Sequence, residues 1–265
     1  MKKLYFECYS GISGDMTVGA LIDLGVNEEN LIKALKSIPA KGFDIKISKV
    51  KKSGLDVCDF DVILDKEHEN HDHDMEYLHD HHHEHHHHHE HRNLKDIEKI
   101  IDETKINEHT KKIAKKIFKV LAKAEAKVHG VKIDDVHFHE VGAIDSIVDI
   151  IAIAYCIDEL GINEVVTSSL YEGKGFICCQ HGLIPVPAPA TLNIISDYHL
   201  DLHLLDIDGE LVTPTGAAVI AALKTDDKLP SKYNILKVGM GAGKRDYPTS
   251  GILRVMIIEG GEGNE

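Results

Sequence analysis

The chain has 265 residues, 43% of them hydrophobic and 28% charged, with a formal net charge of −14. That is enough apolar material for one sizeable core or two small ones, and no apolar run reaches the roughly 18 residues that a membrane helix requires. The acidity sets most of the surface against a phosphate backbone, and with 5% aromatics and no tryptophan there is no stacking platform for single strands, so nucleic acid is an unfavoured partner.

Residues 4–8 read as an apolar strand, 9–14 as a small-residue turn, and Asp15 as the N-cap of a helix ending at Gly25. A second helix spans 30–37 and is stopped by Pro39; strands follow at 43–50 and 56–64. From 68 to 91 the composition changes abruptly: 13 of the 20 histidines lie there among Asp and Glu, so no core can form from it. A disordered His-rich loop over 67–92 is therefore expected to divide an N-terminal part, 1–66, from a main part, 93–258, with a tail over 259–265.

The main part opens with helices over 93–102 and 108–129, the second closed by Gly130. A short extended segment, 136–141, leads into a largely apolar helix over about 145–160, broken by Gly161. Short β-like pieces follow at 164–168 and 175–179, then a turn carrying Pro185, Pro187 and Pro189, a helix to about Ser196 and another over 214–223. Strands at 234–239 and 252–258 flank the loop Gly241-Ala242-Gly243-Lys244-Arg245-Asp246. The alternation predicts an α+β, mixed α/β fold, a mixed sheet covered by helices.

The loudest chemical signal is the histidine tract, above all His81, His82, His83, His85, His86, His87, His88 and His89. Imidazole binds Ni, Zn, Cu and Co, and the interleaved Asp72, Asp74, Glu84 and Glu90 are foreign to an expression tag. A flexible loop cannot fix coordination geometry, so the tract reads as a store or funnel; an accidental linker is the bland alternative.

His137, His139, Glu140, Asp145 and Asp149 form a second constellation, five ligand-type residues within thirteen positions. In an extended segment His137 and His139 share one side and Glu140 takes the other. Asp145 and Asp149, four apart, share a helix face with Ile144, Ile147, Val148 and Ile151, where isolated charges are costly unless a metal or cation pairs them. Solvent-facing histidines and a helix-edge pair of carboxylates are the alternative.

In Ser10-Gly11-Ile12-Ser13-Gly14-Asp15-Met16, a strand-to-helix turn, free N–H groups suit a phosphate or carboxylate, although the dinucleotide and Walker patterns are absent and an ordinary turn explains the residues about as well. His181 is placed to complete a ligand set, and Thr213 or Thr215 to hold a phosphate oxygen, unless the threonines simply cap a helix. Cys8, Cys58, Cys156, Cys178 and Cys179 show no C-x-x-C spacing, and the start, Met1 to Glu7, meets acid too early for a signal peptide. A cytoplasmic protein with reduced thiols and no membrane association is expected.

Taken together, the chain closely resembles the LarC family of nickel-insertion proteins. The resemblance rests on Gly11-Ile12-Ser13-Gly14-Asp15-Met16, the internal His-rich loop, Ala124-Glu125-Ala126-Lys127-Val128-His129-Gly130, the 137–149 stretch, His181-Gly182, and residues 185–191, 210–216 and 239–243. It implies a nickel chelatase that metallates pyridinium-3,5-bisthiocarboxylic acid mononucleotide, through nickel–sulfur and nickel–carbon bonds, for lactate racemase-type enzymes. It also implies a homo-oligomer, and CTP dependence with a divalent cation through a C-terminal portion that full-length members carry beyond the point matching Glu265. Glu7 departs from the family's usual Asp before the first Cys.

On this reading His137, His139, Glu140 and Asp145 carry the transfer, and Asp149, His181 and the histidine tract are further nickel ligands. Ser10, Gly11, Ser13, Gly14, Asp15, Thr213 and Thr215 are the expected cofactor-binding residues. A nickel store or chaperone without catalysis, and a metal-dependent hydrolase, are the competing readings.

Overall fold

The computed structural model describes residues 1–65, 92–138, 143–179, 182–226 and 228–260. In chain order, β1 (Lys2–Glu7) leads into α1 (Gly14–Asp23) and α2 (Glu28–Leu35), and then into β2 (Phe43–Lys52) and β3 (Leu55–Leu64). Next come β4 (Arg92–Asn93), α3 (Leu94–Glu103), α4 (Glu108–His129), β5 (His137–Phe138) and α5 (Ile144–Leu160). The remainder is β6 (Val165–Thr167), β7 (Leu170–Lys174), β8 (Phe176–Cys179), β9 (Gly182–Pro185), α6 (Pro189–Asp197), β10 (Leu202–Asp208), α7 (Pro214–Leu223), β11 (Tyr233–Ala242) and β12 (Ile252–Gly260).

Strands from both sides of the His-rich segment build one six-stranded sheet in the order β2-β3-β11-β12-β1-β6. It is mixed: β1–β6 and β3–β11 run parallel and the other pairs antiparallel. Smaller ladders join β7 to β10, β8 to β9 and β4 to β5. The fold is thus the mixed α/β arrangement, a mixed sheet with helices over it, that the alternation of elements predicts.

Helix α1 lies directly on the sheet because the contact is made of glycines. A Cβ at Gly241 would stand 1.9 Å from the Met16 carbonyl oxygen, one at Gly239 2.1 Å from that of Ala20, and one at Gly19 2.7 Å from that of Cys58. Backbones packed this closely tolerate no side chain between them. Helix α5, with Ile147, Val148, Ile150, Ile151, Ala152, Ile153, Ala154, Cys156 and Ile157 all buried, packs against both α1 and α4. A helix apolar on nearly every side belongs in the interior. Asn27, Asn93, Asn107 and Thr213 accept backbone N–H bonds as N-caps, and left-handed Gly130 and Gly161 close α4 and α5.

Two local expectations are corrected. The N-cap of α1 is Ser13, in extended backbone, and Asp15 sits inside the first turn, where its carboxylate accepts the Ser13 hydroxyl. The proline-bearing turn begins as a strand, β9, because the ladder to β8 runs up to Pro185, where an edge position needs no N–H. Strands β7 and β10 also go unannounced in the sequence: Leu202–Asp208 is exposed at both faces in part, and the β7 run carries Glu172 and Gly173.

Candidate functional site

Three helix N-termini open onto one cavity of about 270 Å³: α1 contributes Ser13, Gly14 and Asp15, α5 Asp145, Ser146 and Asp149, and α7 Thr213, Pro214 and Thr215. The free N–H groups of each first turn give each end the equivalent of about half a positive charge. Into this positive rim the sequence sets carboxylates. Phe60, Asp61 and Val62 come from β3, Glu210 from the loop before α7, and Lys244 and Arg245 from the β11–β12 loop. Gly14 lets α1 and α5 meet, since a Cβ there would lie 2.3 Å from Asp149 Oδ2.

A second cavity, of about 200 Å³, shares Ser13, Asp15, Glu210, Thr213, Lys244 and Arg245 with the first and adds the apolar surface of Met16, Leu211 and Tyr247. Lys244 Nζ lies 2.6 Å from Asp59 and 3.4 Å from Asp61, and Arg245 Nη1 lies 3.7 Å from Glu210 Oε2. Burial opposes the charge on Lys244, yet Asp59 and Asp61 hold its pKa above the usual lysine value.

The aspartates are strained electrostatically. Burial pushes the Asp149 carboxyl well above the usual carboxylate range, and the charges of Asp15 and Asp145 add to it while Lys244 opposes. Asp145 is raised by burial, against the Ser146 N–H and its own, with Asp15 adding; its Oδ1 has no hydrogen-bond partner among the described residues. Asp15 is raised by burial, with the Ser13 hydroxyl, the Met16 N–H and Lys244 opposing. A cation entering among them would oppose these penalties by favouring the ionised carboxylates. Among the described residues, however, no three His, Cys, Asp or Glu side chains converge tightly enough to hold a metal ion by themselves.

Beneath the cleft lies Glu172, which is fully buried. Its Oε1 accepts the N–H groups of Gly173 at 2.8 Å, Leu211 at 2.6 Å and Val212 at 3.1 Å. Burial pushes this carboxyl to about 7 against those three bonds and the charge of Arg245. The segment it holds is tied in turn to the Gly11 turn, Ile12 N–H to Leu211 carbonyl at 2.9 Å and Thr213 N–H to Ile12 carbonyl at 3.1 Å. Gly11 is required there: its φ is +83° and a Cβ would lie 2.1 Å from the Leu211 oxygen.

Of the residues singled out in the sequence, Ser13, Gly14, Asp15, Asp145, Asp149, Thr213 and Thr215 meet in the first cavity and Ser10 lines the second. Thr213 spends its hydroxyl on capping α7, accepting the Gly216 N–H at 3.1 Å. His137 is exposed on β5, opposite Asn93, and lines neither cavity. His139, Glu140, His181 and the tract from His81 to His89 lie outside the described residues. Glu7 is held in an ion pair by Arg254 and also lines neither of these cavities. Sequence reasoning gave no role to Glu172, Lys244 or Arg245. Only the basic pair set between Gly243 and Gly251 carried a signal, since Glu172 becomes special through contacts some forty residues away.

Fold and cleft together define an α/β protein with an acidic cleft at converging helix N-termini. The chain belongs to the nickel insertion protein family, which it matches over residues 4–265. It is similar to proteins named pyridinium-3,5-bisthiocarboxylic acid mononucleotide nickel insertion protein. The one from Alkaliphilus metalliredigens is 56% identical over 257 residues, covering 97% of this chain and 60% of that protein. Those from Acetivibrio thermocellus and Clostridium acetobutylicum are 43% and 46% identical, covering 97% and 98% of this chain and 60% and 64% of theirs. The chain thus spans 60% of the length of the first of these relatives. No solved structure matches it. Among the described residues no helix is long and apolar enough to cross a membrane.

Proposed function

We propose that this chain carries the nickel-transferring cleft of a nickel chelatase acting on pyridinium-3,5-bisthiocarboxylic acid mononucleotide, the compound in its relatives' names. The observation that carries the reading is the trio Asp15, Asp145 and Asp149, whose carboxyls burial and mutual repulsion hold up in a cleft ringed by three helix N-termini. Ni²⁺ is the substrate cation whose charge supplies the missing pairing. His139, Glu140 and His181, outside the described residues, remain candidate nickel ligands by residue type, while exposed His137 and the histidine tract serve delivery.

Carboxylate oxygen is a hard donor and thiocarboxylate sulfur a softer one, so nickel passes downhill from the aspartates to the sulfurs. The nickel–sulfur bonds form on thiocarboxylates that are already anionic; the nickel–carbon bond replaces the ring C–H between the two substituents and releases one proton, which an ionised carboxylate of the cleft accepts. CTP with a divalent cation enters the proposal through the portion of the longer relatives that this chain does not span. A cytoplasmic homo-oligomer that serves a lactate racemase-type apoenzyme completes the proposal.

The test mixes the chain with nickel and the thiocarboxylate mononucleotide, with and without CTP and the C-terminal portion of a relative, and follows product absorbance. Asp145→Asn and Asp149→Asn are expected to lose metallation while still binding the mononucleotide. Metallation at the wild-type rate by both variants would overturn the assignment.

A further inference from the structure

We infer that Lys244 and Arg245, with the second cavity beside Tyr247, form the subsite for the phosphoribosyl end of the pyridinium mononucleotide, whose thiocarboxylates then face Asp15, Asp145 and Asp149. The inference rests on the nickel-insertion reading above.

The ligand's chemistry fixes a polarity. Its 3,5 substituents flank one edge of the ring and the ribose leaves from the ring nitrogen at the other, so the phosphate stands a ring and a ribose away from the sulfurs. The cleft is graded in charge, since Asp61, Asp145 and Asp149 line the first cavity and not the second. Among the described residues lining the two cavities, Lys244 and Arg245 are the only cationic side chains, and both line both cavities. A phosphate placed deeper in the first cavity would confront Asp145 and Asp149 in a partly desolvated space, where like charges repel strongly.

The loop bearing the two cations is built to hold them still. The Gly243 N–H donates to the Gly251 carbonyl at 2.9 Å, and Lys52 Nζ reaches the Arg245 carbonyl at 3.2 Å and Asp246 at 2.6 Å. The pairs Lys244–Asp59 and Arg245–Glu210 aim the two head groups. An ammonium and a guanidinium both bind phosphate oxygens through charge-assisted hydrogen bonds. Met16, Leu211 and Tyr247 give the second cavity an apolar and aromatic wall against which a ribose or ring edge can rest.

The experiment titrates the 265-residue chain with the thiocarboxylate pyridinium mononucleotide and, separately, with its dephosphorylated nucleoside, and measures nickel binding alongside. The wild type is expected to prefer the mononucleotide roughly ten- to a hundredfold, the worth of one or two charge-assisted hydrogen bonds. Lys244→Gln combined with Arg245→Gln should erase that preference without weakening nickel binding. A folded double variant that keeps the preference, or a wild type that binds both compounds equally, overturns the subsite. Should the double variant not fold, Arg245→Gln alone is read by the same ratio, and the wild-type comparison needs no variant. A wild type that binds nickel but neither compound sinks the insertion reading itself, an outcome distinct from the loss of phosphate preference.

Discussion

Replacing Gly241 with alanine tests whether the cleft depends on backbone contact between α1 and the sheet. The new methyl would stand 1.9 Å from the Met16 oxygen, 2.6 Å from the Ala20 nitrogen and 2.8 Å from the Met16 carbonyl carbon, all backbone atoms that no rotamer change can move. Reaching an ordinary 3.4 Å contact requires α1 to back away from β11 by about 1.5 Å. Overpacking of this kind costs typically 1–3 kcal/mol, and rigid neighbours put this case at the top, about 3 kcal/mol. For a chain of this size that corresponds to a fall in Tm on the order of 10 °C. Because α1 carries Ser13, Gly14 and Asp15 into the cavity, nickel transfer should fall further than stability alone explains. The assay pairs thermal melts with metallation rates measured well below the variant's Tm. Gly54→Ala is the control, since it has φ +80° and nothing within 4 Å, and should cost only the left-handed backbone term of about 1–2 kcal/mol and no activity. A Gly241→Ala protein as stable and active as the wild type would refute the packing account.

Other perturbations give equally definite outcomes. The raised pKa of Asp149 means that its contribution to stability is complete below the unfolded value of about 3.9 and is lost as pH rises through the folded one. Asparagine cannot ionise, so Asp149→Asn should melt progressively higher than the wild type from about pH 4 toward neutrality. Added nickel should close that gap; melting curves that stay parallel with pH and ignore nickel would exclude the charge account. Glu172→Ala strips the acceptor from three backbone N–H groups and should cost about 3 kcal/mol or more in urea unfolding, at roughly 1–3 kcal/mol per orphaned donor. Glu172→Gln keeps an acceptor but cannot titrate, so it should remove the wild type's loss of stability between about pH 4.5 and 7, where the folded carboxyl sits near 7. Deleting residues 68–91 should leave metallation intact in excess nickel and slow it when nickel is scarce, as followed by product absorbance at two nickel concentrations.

The helices were legible because their signals are local. Asn93 and Asn107 cap where the sequence places helix starts, Gly130 and Gly161 close where it places ends, and the apolar continuity of 144–157 marks a buried helix. The sheet was not legible in the same way: β11 lies between β12, its hairpin partner, and β3, a parallel neighbour nearly two hundred residues earlier, a pairing set by glycine contacts with α1. In the cleft, Asp145 and Asp149 betrayed themselves as acids on an apolar face. Lys244 and Arg245 sit in a loop where a charge pair is unremarkable, and Glu172 in a short strand whose partners are backbone groups at 211 and 212. Long-range backbone hydrogen bonds leave no periodicity behind.

The cleft also sets two electrostatic effects against each other. A helix N-terminus ordinarily favours a carboxylate, by about 0.3–1 kcal/mol. Asp15 and Asp145 occupy such positions and their carboxyls are raised all the same, as is that of Asp149 one turn deeper. Burial raises them and like-charge repulsion adds to it, at Asp15 and Asp145 against the first-turn N–H groups of Met16 and Ser146. A site in that state favours a cation, yet the donors it offers are hard oxygens whose preference for nickel over its competitors is weak. Tighter binding by soft protein ligands would stabilise the ion before transfer and raise the barrier to surrendering it, since only interactions gained on the way to the product speed the step. In the proposed reaction the selectivity for nickel then resides in the sulfur ligand and in delivery, and the aspartates contribute a place where the ion waits at little energetic depth.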